Sequence, residues 1–90
     1  MAWKVEFDPA TVRDIDRLDK PVARRILSFL YERVAQLDDP RRIGQALQGS
    51  KFGEFWKYRV GEWRIICKIE DKRIIVLVLC IRHRSKVYRP

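Results

Sequence analysis

Lys57, Arg59 and Arg64 flank a Gly61-Glu62 pair, and Arg82, Arg84, Lys86, Tyr88 and Arg89 crowd the end of the chain. Cations gathered on one surface hold a phosphodiester backbone and stabilise the charge that develops when phosphorus is attacked. Tyr88 and Trp56 add flat rings on which bases stack. Cleavage of RNA by its own 2′-hydroxyl also needs a base and an acid for the leaving oxygen. A pair of histidines is the usual solution, and the chain has one, His83. Lys57 is the best remaining base, because neighbouring cations favour its neutral form, and Tyr88 is a second. Residue types alone therefore rank binding ahead of catalysis.

The charge balance points the same way. Lys and Arg number 20 against 12 Asp and Glu, a formal charge of +8 on 90 residues. So short a chain holds one core, a single domain over residues 1–90, and its charge favours polyanions, nucleic acid first. The plainer reading, a basic surface kept for solubility, is decided by where the charges fall. No apolar run has the length of a signal peptide or a membrane span, so a cytoplasmic protein with no membrane association is expected. Cys67 and Cys80 lie in apolar strand-like runs without metal-ligand spacing, which reads as two reduced thiols, no metal site and no cofactor.

Several elements must position the cations. Trp3, Val5 and Phe7 alternate with Lys4 and Glu6, the period of a half-buried strand. Asp8-Pro9 and Asp19-Pro21 are helix starts. Val12, Ile15 and Leu18 make the stripe of a first helix; Val22, Ile26, Phe29, Leu30, Val34 and Leu37 make that of a longer second one, with Arg24, Arg25, Ser28 and Glu32 on its other side. Asp38 to Pro40 stop it. The stretch that follows reads as an irregular connection and carries Arg41, Arg42 and Lys51, candidates for contact with RNA backbone. Three strands come next: Phe55 to Val60, Trp63 to Glu70, and an almost wholly apolar run from Arg73 to Arg82 that suits an interior strand. The expected fold is α+β: a strand, a two-helix antiparallel hairpin, and a three-stranded antiparallel meander, with both helices on one face of the sheet. The opposite face is left for function.

Gly61-Glu62 fits a two-residue hairpin turn with Gly in its first central position. Val60 then faces Trp63, Arg59 faces Arg64, Tyr58 faces Ile65 and Lys57 faces Ile66. Trp56, Tyr58, Val60, Trp63, Ile65 and Cys67 fall on the helix-covered side, and Lys57, Arg59 and Arg64 share the other. Opposed arginines repel, so stability alone does not favour the pair, although long solvated side chains can splay apart. A similar turn at Asp71-Lys72 would place Arg64 opposite Leu79, Arg82 near Gly61, and Cys80 opposite Trp63. Strict alternation then points Arg82 toward the helices, and its sharing of the basic face requires the strand to end or twist.

The segment from Glu54 to Arg64, EFWKYRVGEWR, together with Cys80 to Tyr88, CIRHRSKVY, resembles the RelE family of toxins. The opening strand, the helical hairpin and the Leu47-Gln48-Gly49 turn match that family's layout as well. The resemblance implies a ribosome-dependent endonuclease that enters the ribosomal 30S A site and cuts the exposed mRNA codon, inhibited by a RelB-like antitoxin. It assigns catalytic positions to Lys57, Arg59, Arg64, Arg82 and Tyr88, respectively a base or cation, a cation, a phosphate anchor, a leaving-group stabiliser or acid, and a base or stacking residue. Position 59 is often Lys in the family. Arginine there cannot act as a neutral base, which leaves Lys57 and Tyr88. His83 sits where the family varies, and a solvated or backbone-bonded ring is its ordinary reading. Two other functions fit the same elements: a ParE-like toxin that binds DNA gyrase, with no nuclease chemistry, and a nontoxic RNA-binding module.

Overall fold

The computed structural model describes residues 2–47 and 55–85. Strand β1 (Lys4–Phe7) leads into α1 (Pro9–Arg17), where the Asp8 carboxylate accepts from the Ala10 N–H at 3.0 Å and Pro9 occupies the first turn. Helix α2 (Lys20–Ser28) starts after Asp19, whose side chain makes no cap; its carbonyl instead accepts from the Ala23 N–H. The helical path continues to Gln36, but not as one α-helix. Phe29–Arg33 form a wider π turn and Val34–Gln36 a 3₁₀ turn. Ile26, Leu30 and Val34 recur every fourth residue, a spacing that drifts around an α-helix and stays on one face when an i→i+5 turn is inserted. All three are buried.

The remaining strands are β2 (Gln45–Ala46), β3 (Phe55–Val60), β4 (Trp63–Glu70) and β5 (Ile75–His83), in one sheet of order β1-β5-β4-β3-β2. Strand β1 lies parallel to β5, Lys4 beside Ile75 and Phe7 beside Val78. That placement makes β5 interior, as its apolar run requires. The two-residue β2 falls within the expected irregular connection and pairs with Trp56 and Lys57 of β3. Gly44 makes this approach possible: its φ is +81°, and a Cβ there would come within 2.6 Å of the Lys57 carbonyl oxygen and 2.8 Å of the Trp56 indole nitrogen.

Ile26, Leu30 and Val34 pack on Tyr58, Val60, Ile65, Cys67, Val76, Val78 and Ile81, the layer between the helical segment and the sheet. Tyr58 is fully buried and donates its hydroxyl to the Pro40 carbonyl at 2.7 Å. The opposite face is not bare, since Ile66 and Ile75 are buried on it.

The β3–β4 register is the expected one, with Arg59 opposite Arg64 and Val60 opposite Trp63. Gly61 has φ +58° and Glu62 no positive φ, the signature of a II′ turn. The β4–β5 register differs from expectation. Residues 71–74, not Asp71-Lys72 alone, make the connection, with Glu70 opposite Ile75 and Ile74 held at φ +54°. A bulge then inserts Leu79: Cys67 lies opposite Val78, and Ile66 opposite Cys80. Arg64 consequently faces Arg82, not Leu79, and Trp63 faces His83, not Cys80. Both thiols are free, as expected, but for another reason: they are near neighbours in the sheet whose side chains point to opposite faces.

Candidate nucleic-acid interface

The bulge at Leu79 builds the site. Val78 points to the helical layer, and strict alternation would send Arg82 there too. One extra residue inverts the phase, so Ile81 takes the core position and Arg82 turns to the far side. Two rungs across β3, β4 and β5 result. Lys57, Ile66 and Cys80 form one; Arg59, Arg64 and Arg82 form the next. Adjacent Cα atoms in such a rung are about 4.5–5.5 Å apart, so three guanidinium groups are anchored side by side.

Each arginine in the row is held differently. Arg64 donates from one terminal nitrogen to the Gly61 and Trp63 carbonyls, both at 3.1 Å. Arg82 lies 3.6 Å from the Asp14 carboxylate of α1, a helix that passes beside β5 where β1 ends. Arg59 is exposed and, among the described residues, has no ion-pair partner; nor does Lys57. A cleft of about 470 Å³ opens at the outer edge of β3, with Lys57, Arg59 and Arg64 meeting Gln45 and Arg33 in its lining. Such a cleft can take an anionic chain and surround a phosphate with donors.

The other expected contacts lie elsewhere. Arg41 is at the opposite end of β4, donating to both Asp71 carboxylate oxygens at 2.7 and 3.0 Å and to Asp39 at 3.3 Å. The hydrogen bond to Asp71 raises the Arg41 pKa and lowers that of Asp71, so this cation is committed to an internal pair. Arg42 beside it is exposed. Trp56 is not a stacking platform on the basic face: it packs partly buried on the helical side, its indole N–H donating to the Ile43 carbonyl at 2.7 Å. Arg84 lies at the hairpin turn, where its backbone N–H reaches the Glu62 carbonyl at 2.7 Å and its guanidinium the Glu62 carboxylate at 3.8 Å. Lys51, Lys86, Tyr88 and Arg89 lie outside the described residues.

His83 stands edge-on to Trp63, its ring nitrogens 3.1 Å from the Glu62 carboxylate and 2.8 Å from the Ser85 hydroxyl. It therefore belongs to the turn and not to the arginine row. The pairings of Asp14 with Arg82 and of Glu62 with His83 and Arg84 are contacts that sequence reasoning did not foresee. Neither carries a local signal, because both act through the path of a neighbouring element.

Solved structures share this fold. The chain superposes on one from the RelBE2 toxin–antitoxin complex of Mycobacterium tuberculosis with a TM-score of 0.82, at 22% identity, covering 96% of this chain and 95% of that one. The class is a toxin of a type II toxin–antitoxin system, within the RelE/ParE superfamily. Residues 5–88 match the family described as the ParE toxin of type II toxin-antitoxin system, parDE, and the chain belongs to that family. Toxin RelG of M. tuberculosis is 27% identical over 89 residues, 99% of each chain. The mRNA interferase toxin RelE of Escherichia coli K12 is 27% identical over 90 residues, covering 98% of this chain and 92% of the relative. No helix among the described residues is long and apolar enough to cross a membrane.

Proposed function

We propose that this toxin is a ribosome-dependent endoribonuclease that cuts mRNA in the 30S A site, with residues 1–90 acting as one domain in the cytoplasm. The observation that carries the reading is the row Arg59–Arg64–Arg82 beside Lys57, a concentration of positive charge that costs stability and suits a pentavalent phosphorus. The E. coli relative named an mRNA interferase toxin supports the same chemistry. In this reading the 2′-hydroxyl attacks the adjacent phosphorus and Lys57 or Tyr88 takes its proton; as the P–O5′ bond breaks and a 2′,3′-cyclic phosphate closes, Arg64 and Arg82 stabilise the phosphorane and the departing 5′-oxygen, which takes a proton from water. Arg59 contributes charge only, because guanidinium does not give up its proton. The ribosome supplies what the row lacks, a codon held for in-line attack, a positioning contribution that can reach about 7 kcal/mol. The partner is a RelB-like antitoxin, by analogy with the RelBE2 toxin–antitoxin complex; an acidic segment of it would gain electrostatically by covering the cationic face.

Single-turnover cleavage of one message with and without ribosomes tests the proposal. Rapid cleavage only on ribosomes is expected, and Arg64→Ala and Arg82→Ala should each abolish it while retaining a cooperative melting transition. Equal rates in both settings would refute ribosome dependence. The ParE family match motivates a second reading, inhibition of DNA gyrase by protein binding. Loss of supercoiling activity in purified gyrase, with no cleavage on ribosomes, would select it.

A further inference from the structure

Among the described residues, the chain treats its cations in two ways. Lys4, Arg41, Arg73, Arg82 and Arg84 each sit within 4 Å of a carboxylate. Lys57, Arg59, Arg64, Arg33 and Arg25 do not, and neither do cations elsewhere on the surface such as Arg13, Arg24 and Arg42; what sets the first five apart is that they line one continuous depression. A second cleft, of about 410 Å³, adjoins the first and shares Phe29, Arg33 and Arg59 with it. One wall is the outer edge of β3; the other is the helical segment. Two guanidinium groups on that second wall are held in place: Arg33 stacks over the Phe29 ring at 5.6 Å, and Arg25 rests on the hairpin turn, 2.9 Å from where a Gly61 Cβ would stand. Glu32, the carboxylate in the second lining, accepts from the Ser28 hydroxyl instead of pairing with either. The walls match in length. Lys57 to Gly61 span about 13 Å of strand, and Arg25 to Arg33 about 12 Å of helix.

We propose that this trench, from the arginine row around the outer edge of β3 to Arg33 and Arg25, binds the sugar–phosphate backbone of single-stranded RNA continuing out of the cleavage site. The inference rests on the proposed nuclease reading for its direction, but the trench itself is a binding site that can be measured without cleavage. Aligned, unpaired cations repel one another, and a polyanion relieves that repulsion by exchanging its counterions for them. The cations of the trench suit phosphate oxygens, which carry no sequence information, so binding through them is independent of sequence.

The test is equilibrium binding of a fluorescein-labelled single-stranded RNA of about 12 nucleotides to the full chain, from 50 to 200 mM salt, with thermal melting of every variant. Each phosphate contact contributes about 0.7 to the slope of log K against log salt, so losing two lowers it by about 1.4 and changes the wild-type to variant affinity ratio about sevenfold over that range. Arg25→Ala/Arg33→Ala should show this change, Arg25→Lys/Arg33→Lys should keep most of the wild-type slope, and Arg13→Ala/Arg24→Ala, equal in charge but outside the trench, should change it far less. Equal effects of the two alanine pairs would overturn the proposal, as would failure of the wild type to bind the RNA. If Arg25→Ala/Arg33→Ala leaves RNA binding intact but weakens binding of an acidic antitoxin peptide, the trench is a protein-docking surface and the proposal also fails. Wild-type RNA binding with the expected slope change but no cleavage on ribosomes would leave the trench standing and remove the nuclease reading.

Discussion

Replacing Tyr58 by Phe isolates a single hydroxyl beneath the site. The ring stays, so no cavity forms and the contact with Phe29, 5.8 Å between centroids, survives. What is lost is the 2.7 Å hydrogen bond to the carbonyl of Pro40, itself a fully buried residue. A neutral hydrogen bond contributes about 1 kcal/mol net, and an acceptor left buried without a partner pushes the cost toward 2 kcal/mol. For a domain of this size that corresponds to a fall in Tm of roughly 5–15 °C. The same hydroxyl sets an alkaline limit. Burial pushes the Tyr58 phenol well above its ordinary 10.0. The unfolded chain therefore loses that proton first, and stability falls as pH rises above 10, by about 1.4 kcal/mol per unit, until the folded phenol ionises as well. Tyr58→Phe should lose this component of the pH dependence. Calorimetric melts of both proteins at pH 7 and in steps above pH 10 measure the two effects. Ribosomal cleavage well below either Tm should be nearly unchanged, because Lys57 and Arg59 point away from the ring. An unchanged Tm at pH 7, or identical alkaline profiles, would show that water satisfies both groups and that the bond contributes nothing.

Asp71→Asn should lower Tm slightly at pH 7 and not at all in acid. The hydrogen bond from Arg41 depresses the Asp71 pKa below 3.8, so its stabilisation is present above that value and disappears as pH falls through the folded one; a difference in Tm that grows in acid would contradict the pair. Cys80, only half-buried though also raised in pKa by desolvation, should react slowly with a thiol reagent in the native protein, while fully buried Cys67 reacts only on unfolding; mass analysis without reductant should find both free, and a mass two hydrogens lighter would contradict the opposite-face geometry. Asp14→Asn should slow ribosomal cleavage by up to about 10-fold through loss of Arg82 orientation, yet strengthen RNA binding by removing a negative charge. If both change in the same direction, Asp14 acts through net charge or the fold and not by orienting Arg82.

The β3–β4 hairpin was legible because one glycine specifies it. Gly in the first central position of a two-residue turn selects II′ geometry, and every pair from Val60–Trp63 to Lys57–Ile66 then follows by counting. The second hairpin has no such residue. Its connection ends on Ile74 at positive φ, a conformation β-branched side chains disfavour, and its bulge falls inside the apolar run Ile74 to Ile81, where hydrophobic pattern cannot say which residue is extra. The π turn was hidden for a related reason. Apolar residues at every fourth position are compatible with either helix type, and the choice is made by the sheet against which Ile26, Leu30 and Val34 must pack. Position of β1 was beyond local signals altogether: only the need to cover both edges of β5 selects it.

Arg82 shows how these facts combine. Burying its guanidinium under α2 would require a partner that the apolar layer of Ile26, Leu30 and Val34 does not offer, and an unpaired buried charge is among the costliest features a core can contain. The Leu79 bulge removes that conflict by one residue of phase, placing Ile81 where the core needs bulk and Arg82 where Arg64 and Arg59 already stand. The repulsion this creates is then reduced at one end by Asp14 and at the hairpin by the carbonyls that hold Arg64, while Arg59 is left exposed at the cleft. A fold arranged for stability alone would have paired those charges, as it does with Arg41 and Asp71 at the other end of β4. The unequal treatment of like residues in one small sheet supports the proposal that its basic face meets an anion.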